Sequence, residues 1–209
     1  MKIVIFDMDG TLIDSKKDIT ISVNYIRKKH YSLSPLSEEF IVEAINMAVR
    51  NLPKLFYETE VYAKKDMLAF EEHYKTQCTQ NPYLYDGVLE TLKALRDADV
   101  KLSVATNAPT PFAKLMLASL GVANMFDVII GADEVSASKP NPEMLHKILE
   151  HYHYNALVDA AWMVGDNSKD MMSASNANID GLFATWGFSP ETEFTDRVNK
   201  PLEILTVVL

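Results

Sequence analysis

Residues 3–12 read Ile3-Val4-Ile5-Phe6-Asp7-Met8-Asp9-Gly10-Thr11-Leu12. The first four are apolar and mostly β-branched or aromatic, a run that is typical of a strand buried on both faces of a parallel sheet. The run stops at two carboxylates one residue apart, and the glycine that follows can make a sharp turn. Because ligands bind beyond the carboxyl ends of the strands in an open α/β sheet, the stretch predicts two acids at a ligand-binding edge.

Two different catalytic roles are open to these two acids. If Asp7 points at a substrate from the strand end, the turn can bring Asp9 back toward the same point. One carboxylate would then attack while the other transfers protons. The alternative is a solvated strand end with an inert Asp-Gly turn, and the decapeptide alone leaves both interpretations open, since short motifs also occur by chance.

Further strands are predicted in the second half of the chain, at residues 100–105, 127–130, 161–164 and 180–185. Helical patterns separate them, which predicts an α/β architecture. Right-handed connections place all the carboxyl ends of such strands on one edge of the sheet. Asp7, Thr106 and Asp166 each follow a predicted strand, so we expect them to lie at the same edge.

The stretch Ser138-Lys139-Pro140-Asn141-Pro142-Glu143 predicts a lysine held on a defined loop. Pro140 biases Lys139 away from the helical region. Asn141 and Pro142 are typical of a helix N-cap and a first helical residue, and Glu143 suits the first turn. Taken alone, without the other motifs, the pattern is typical of an exposed lysine beside the start of a helix.

The sequence Asp7-Met8-Asp9-Gly10-Thr11-Leu12 resembles the first motif of the haloacid dehalogenase superfamily in its phosphatase form. Thr106-Asn107, Lys139 and Gly165-Asp166-Asn167-Ser168-Lys169-Asp170 match the second, third and fourth motifs in order. The resemblance implies that Asp7 is a nucleophile that forms an aspartyl-phosphate and that Asp9 is the general acid and base. Dehalogenases of the superfamily lack the second acid, so Asp9 favours phosphoryl transfer.

The resemblance also implies roles for the other motif residues. Thr106 and Asn107 would bind the phosphoryl group, and Lys139 would balance the charge of the nucleophile and the phosphate.

A Mg²⁺ ion, which prefers hard oxygen ligands, would be held by the Asp7 and Asp166 carboxylates and the Asp9 carbonyl. Asp170 would orient a metal-bound water or Lys139.

Residues 15–81 differ from the rest of the chain, because they show helical periodicity and almost no strand pattern. One helix is predicted after Ser37 and is expected to bury Phe40, Ile41, Ala44, Ile45 and Ala48. In the resembled family this block corresponds to an all-helical cap domain inserted after the first strand. We therefore predict a Rossmann-like parallel-sheet core from residues 1–14 and 82–209, with a cap from 15–81.

A Mg²⁺-dependent phosphatase for small phosphate monoesters, similar to phosphoglycolate phosphatases, is the function that the resemblance implies. Two alternatives remain open. A phosphosugar mutase of the β-phosphoglucomutase type shares every motif but returns the phosphoryl group to sugar. A non-catalytic binding protein on the same fold is expected to lack Asp7, Asp9 or Lys139, and all three are present.

Composition limits the partners. With 20 Lys and Arg against 29 Asp and Glu, the net charge of −9 disfavours nucleic acid. The single cysteine and the lack of a signal peptide or membrane span predict a cytoplasmic protein without a membrane partner. We expect a small phosphorylated metabolite as substrate, and a monomer or weak homodimer.

Arg50 is a candidate substrate ligand in the predicted cap. The segment Arg50-Asn51-Leu52-Pro53 interrupts the helical pattern and predicts a turn. In the resembled enzymes, loops near this point can contact the non-phosphate end of the substrate. An arginine there suits a carboxylate or a second phosphate. The alternative is a solvated arginine at a helix end.

Overall fold

The computed structural model describes residues 1–47, 50–189 and 194–209, and these form two compact units. The sheet unit consists of Met1–Asp14 and Leu84–Leu209, and the helical unit consists of Ser15–Tyr83. The strands are β1 (Lys2–Phe6), β2 (Ile13–Asp14), β3 (Tyr83–Leu84), β4 (Lys101–Ala105), β5 (Val128–Ile130), β6 (Ala160–Gly165), β7 (Asp180–Ala184) and β8 (Arg197–Val198). The helices are α1 (Lys16–Tyr31), α2 (Glu38–Asn46), α3 (Leu52–Tyr57), α4 (Lys64–Gln77), α5 (Val88–Asp97), α6 (Thr110–Ser119), α7 (Glu143–His151), α8 (Ser168–Asn176) and α9 (Ile204–Val208).

Six strands form one sheet in the order β5-β4-β1-β6-β7-β8, and each neighbouring pair is parallel. β1 lies in the middle, with Val4 opposite Leu102 of β4 and Trp162 of β6. Ile3, Val4 and Ile5 are completely buried, as expected for a strand covered on both faces. The predicted Rossmann-like α/β fold is confirmed.

Two helix starts in the sheet unit differ by one residue from the sequence pattern. Thr110, which looks like an N-cap, is the first residue of α6, and its hydroxyl accepts a hydrogen bond from the Gly131 amide at 2.8 Å. At α7 the N-cap is Pro142, and Asn141 Oδ1 accepts from the Glu143 amide at 3.0 Å. The Thr110 hydroxyl therefore bonds to a residue outside α6, whereas Asn141 still accepts from the first amide of α7, as a capping side chain does.

The helical unit contains α1 to α4 around its own apolar cluster. Ser37 caps α2 as predicted, since its hydroxyl accepts from the Phe40 amide at 3.2 Å. Ile41 and Ala44 are fully buried, whereas Phe40 is exposed, contrary to the prediction. Ala48 lies outside the described residues.

Polar anchors also stabilise the helical unit. The completely buried Asp18 of α1 accepts from the Gln77 amide group at 2.7 Å and from the Asn81 backbone at 2.9 Å. This carboxylate therefore ties the first turn of α1 to the end of α4. No helix in the described part of the chain is both long and apolar enough to cross a lipid bilayer.

Candidate active site

Three neighbouring strands of the sheet unit end in polar residues at one edge. Asp7 follows β1, Thr106 follows β4 and Asp166 follows β6. The sheet hydrogen bonding continues past the strand ends, because the Asp7 amide donates to the Val164 carbonyl at 2.8 Å and the Thr106 amide to the Ile130 carbonyl at 3.0 Å. The parallel pairing thus fixes the positions of Asp7 and Thr106 at the sheet edge.

A tight turn follows Asp7. The Met8 carbonyl accepts from the amides of Leu12 at 2.9 Å and Ile13 at 3.0 Å, which folds the chain back on itself. Gly10 has a φ of +88°, a conformation that glycine adopts at little cost. Asp9 is half-buried in this turn, in a β-bridge with Ile13. The turn therefore begins directly after the first acid and contains the second.

Lys139 brings two carboxylates together. Its ammonium lies 2.6 Å from Asp7 Oδ1 and 2.7 Å from Asp170 Oδ1, and only 2% of its side chain is exposed. The lysine comes from the loop before α7, while Asp170 lies in the first turn of α8. One cation therefore links β1 to the α8 end of the fourth motif, and it is not an exposed surface lysine.

Asp170 has a second structural task. Its Oδ2 accepts from the Asn167 amide at 3.0 Å, while the Asn167 side chain caps the same helix in return, a capping box at the start of α8. Both carboxylate oxygens of Asp170 are thus engaged, one by this amide and the other by Lys139. Asp170 therefore contacts the Lys139 ammonium and the start of α8 with one carboxylate.

Asp166 is held by one residue of the first motif and by one backbone amide outside all four motifs. Thr11 donates its hydroxyl to Oδ1 at 3.2 Å, and the Phe188 amide donates to Oδ2 at 2.6 Å. Gly187 lies so close that a Cβ there would be 2.4 Å from Asp166 Oδ2 and 2.2 Å from the Gly10 carbonyl oxygen. The glycine just after β7 is the one sequence signal for this close approach.

Asn107 and Thr106, the two predicted site residues that follow β4, make hydrogen bonds to backbone groups. The side chain of Asn107 pairs with the main chain of Lys139, with both hydrogen bonds at 3.0 Å. Thr106 Oγ1 accepts from the Ala108 amide at 3.1 Å.

Arg50 is exposed in the helical unit, just before Asn51, which caps α3. The predicted turn at residues 50–53 is therefore the start of a helix with Pro53 in its first turn.

Burial and mutual repulsion dominate the electrostatics of the site. Burial raises the pKa of Asp7 well above its ordinary value, and Asp170 and Asp166 add to the rise, although Lys139 opposes it. Burial, reinforced by Asp170, raises the pKa of Asp166 to about 7, while the Phe188 amide and the Thr11 hydroxyl act in the other direction. Burial alone would lower the pKa of Lys139, but Asp170 and Asp7 outweigh it and keep the lysine protonated.

These residues fit a divalent cation. Oxygens of Asp7, Asp166 and Asp170 lie within 4.8 Å of one another, and all three residues are buried. Carboxylate oxygens are the ligands that Mg²⁺ prefers. When all three are ionised, the one ammonium of Lys139 leaves net negative charge in a buried space, which the raised pKa values of Asp7 and Asp166 reflect. A bound cation would remove that cost.

The raised pKa of Asp166 predicts how the stability of the metal-free protein changes with pH. An aspartate in the unfolded chain titrates near a pH of about 3.9. Between that pH and about 7 the folded protein binds the extra proton, so the free energy of unfolding falls as the pH rises through this range. We expect the metal-free protein to resist urea better at pH 5 than at pH 8, and Asp166→Asn to reduce this difference.

Asp159 offers a control without this pH dependence, because the N-terminal ammonium lies 2.7 Å from its carboxylate and lowers its pKa. The carboxyl is then ionised in the folded and the unfolded protein at both pH values, so Asp159→Asn should change the stability about equally at pH 5 and pH 8. If Asp166→Asn destabilised the metal-free protein more at pH 8 than at pH 5, the conclusion that burial raises the pKa of Asp166 would be wrong.

The chain is similar to known proteins over most of its length. A phosphoglycolate phosphatase from Colwellia psychrerythraea is 30% identical over 201 residues, which cover 90% of this chain and 86% of the relative. The solved structure of a predicted phosphoglycolate phosphatase from Haemophilus somnus 129PT aligns with a TM-score of 0.86 at 24% identity, covering 100% of this chain and 98% of that one. A predicted phosphatase from Clostridium acetobutylicum aligns with a TM-score of 0.83 at 25% identity, covering 99% and 97%.

The match to a family is equally extensive. The sequence model of the family described as "Haloacid dehalogenase-like hydrolase" matches residues 4–184, a range that includes all four motifs at the sheet edge. This confirms the resemblance that begins at Asp7 and Asp9. The chain belongs to the haloacid dehalogenase-like hydrolase family.

Proposed function

We propose that the protein hydrolyses small phosphate monoesters in a Mg²⁺-dependent reaction, with phosphoglycolate or a similar small acid as substrate. The observation that carries the proposal is the buried Lys139 ammonium between Asp7 and Asp170, with Asp166 within 4.8 Å of both carboxylates. The relative from Colwellia psychrerythraea, named a phosphoglycolate phosphatase, supports the substrate class.

Asp7 is the proposed nucleophile. Lys139 lies beside its Oδ1, and one oxygen of this carboxylate would attack phosphorus in line with the leaving alcohol while the other faces the cation. The ester oxygen leaves as the phosphoryl group passes to Asp7, and the product on the enzyme is an aspartyl-phosphate. The protonated Lys139 stays within reach of both the carboxylate and the phosphoryl oxygens and offsets their negative charge.

Asp9 is the proposed proton carrier. Held in the turn after β1, it would donate a proton to the leaving alcohol in the first step. As a carboxylate it would then accept a proton from the water that attacks the aspartyl-phosphate, which releases inorganic phosphate and regenerates Asp7. The Thr106 hydroxyl, at the end of the neighbouring strand β4, would hydrogen-bond the phosphoryl group.

Asp7, Asp166 and the Asp9 carbonyl are the proposed ligands of Mg²⁺. The ion, when bound, supplies positive charge that keeps Asp7 ionised and stabilises the phosphoryl oxygens. The Thr11 hydroxyl and the Phe188 amide would orient Asp166 for this role through hydrogen bonds to its two carboxylate oxygens. Asp170 holds Lys139.

Substrate screening with product analysis tests the proposed function. Small phosphorylated acids, sugars and aryl phosphates are incubated with the protein and Mg²⁺, and free phosphate is measured. We expect phosphate release that stops after exhaustive chelation, returns with Mg²⁺ and is inhibited by Ca²⁺, whose larger and looser coordination misplaces Asp7. An isomerised sugar phosphate without phosphate release would indicate a mutase, and full activity after chelation would contradict the metal assignment.

Arg50 remains a proposed ligand for the acidic end of the substrate. Its bidentate guanidinium suits a carboxylate, so Arg50→Ala should raise KM for an acidic substrate by about tenfold more than KM for an uncharged aryl phosphate. Lys54→Ala is the control, since this exposed lysine of the same segment is already paired with Glu60 at 2.5 Å. Equal effects of Arg50→Ala on both substrates would make Arg50 a surface residue.

A further inference from the structure

The side chain of Asn107 binds the main chain of Lys139 in the manner of a neighbouring strand. The Lys139 amide donates to Asn107 Oδ1 at 3.0 Å, and Asn107 Nδ2 donates to the Lys139 carbonyl at 3.0 Å. Both main-chain groups of the lysine are thereby satisfied by one side chain. Because Asn107 lies just beyond β4, this pair fixes the lysine to the edge of the sheet.

The rest of the loop is fixed from the helices. The Glu143 carboxylate accepts from the amides of Ser136 at 3.0 Å and Ala137 at 3.2 Å. On the other side, Asn176 of α8 donates to the Pro140 carbonyl at 3.0 Å. These contacts hold the residues before and after the lysine, whereas the Asn107 pair holds the lysine itself.

The position of the lysine backbone determines where its ammonium can reach. A lysine side chain is long and has several rotatable bonds, so an ammonium with two partners at 2.6 and 2.7 Å needs a fixed origin. Without the Asn107 pair, the Lys139 main chain loses its link to β4. The ammonium would then spread over several positions between Asp7 and Asp170.

We propose that Asn107 is a positioning residue that acts through Lys139 and not by contact with the phosphoryl group. The inference rests on the proposed phosphatase function for its consequence, since the positioned ammonium is the one that offsets phosphoryl charge. It replaces the role that the family resemblance implies for Asn107. The two roles make different predictions for a double variant.

Binding of inorganic phosphate, measured by calorimetry with Mg²⁺ present, distinguishes them. We expect Asn107→Ala to weaken phosphate binding about tenfold in the wild-type background. In the Lys139→Met background the same change should have almost no effect, because residues that act through one another are not additive. An equal loss in both backgrounds would mean that Asn107 contacts phosphate directly and would overturn the proposal.

Chemical acetylation of lysines, read by mass spectrometry, tests the geometry without substrate or metal. Lys139 should be protected in the wild-type protein, since 2% of its side chain is exposed, and should be acetylated at least about tenfold faster in Asn107→Ala. Unchanged protection would overturn the proposal even if Lys139→Met bound phosphate too weakly for calorimetry. If the wild-type protein failed to bind phosphate, the proposed function would be wrong, yet the acetylation result would still decide the positioning role.

Asn24 provides a matched control in the helical unit. Its side chain makes the same reciprocal pair with the Leu36 main chain, at 2.9 Å to the carbonyl and 2.8 Å from the amide. Asn24→Ala therefore removes the same two hydrogen bonds with a similar loss of stability. It should leave both phosphate affinity and Lys139 acetylation unchanged, and a change equal to that of Asn107→Ala would attribute the effect to general loosening and overturn the proposal.

Discussion

Asp7→Asn is expected to lower kcat/KM by at least about a thousandfold while the protein stays folded. The amide has nearly the shape of the carboxylate and still accepts from Lys139, but it cannot attack phosphorus. Burial raises the pKa of Asp7, so the ionised carboxylate is a cost to the metal-free protein. Removing that charge should leave the free energy of unfolding at pH 8 unchanged or higher.

Phosphate release and urea unfolding, measured on the same preparation, test this expectation. Asp159→Asn serves as a control, because it removes a carboxylate near the N-terminus, paired with the terminal ammonium. It should retain full activity. Residual turnover of Asp7→Asn above about a tenth of the wild-type rate would rule out Asp7 as nucleophile. A loss of activity accompanied by unfolding would point to a structural role instead.

Lys139→Met is expected to damage both activity and stability. Methionine fills similar space, but Asp7 and Asp170 lose the ammonium that lies 2.6 and 2.7 Å away. Breaking a buried ion pair on one side costs about 3–5 kcal/mol, because the remaining charges are uncompensated. The loss of a preorganised cation at the phosphoryl group should lower kcat about a hundred- to a thousandfold.

The stability loss should depend on pH in a defined direction. Without Lys139, the carboxylates hold protons more tightly, so the metal-free variant should recover stability as the pH falls from 8 to 5. Lys101→Met is the control, since Lys101 pairs with Asp99 at 2.9 Å on the surface and should contribute little. A Lys139→Met protein with wild-type stability at pH 8 would contradict the assigned charge balance.

The sequence allowed the edge of the site to be predicted where polar residues follow buried strands. Asp7, Thr106 and Asp166 each come directly after an apolar run, and parallel pairing alone places such ends side by side. Lys139 was identified through the family resemblance, because its loop alone is typical of an exposed lysine beside the start of a helix. The local pattern therefore predicts the residues at the strand ends but not the burial of Lys139.

The contacts that hold these residues were not predictable, since they join distant parts of the chain. The hydrogen bond from the Phe188 amide to Asp166 depends on how closely the segment after β7 approaches the end of β6, and the bond from Thr11 depends on the packing of the turn after β1. The hydrogen bonds of Asn107 to Lys139 depend on the packing of a loop against a strand end. No spacing in the sequence encodes either distance.

The helical unit illustrates the same limit. Its helices follow from periodicity and from the Ser37 cap, but a stripe of apolar residues does not define which edge of the stripe is covered. Ile41 is fully buried, while the adjacent Phe40 is exposed on the surface of α2. Packing against α1 and α3, and not propensity, selects the buried positions.

Trapping of the phosphorylated enzyme tests the proposed reaction most directly. The Asp9→Asn variant, which should accumulate the intermediate because it lacks the base for its hydrolysis, is mixed with Mg²⁺ and an active substrate. The reaction is quenched with hydroxylamine, which converts an aspartyl-phosphate into a hydroxamate, and the peptides are analysed by mass spectrometry. We predict a hydroxamate at Asp7 that depends on substrate and is absent from Asp7→Asn. Substrate-dependent modification at another residue, or phosphate release by the wild-type enzyme with no trapped Asp7 in either protein, would contradict nucleophilic attack by Asp7.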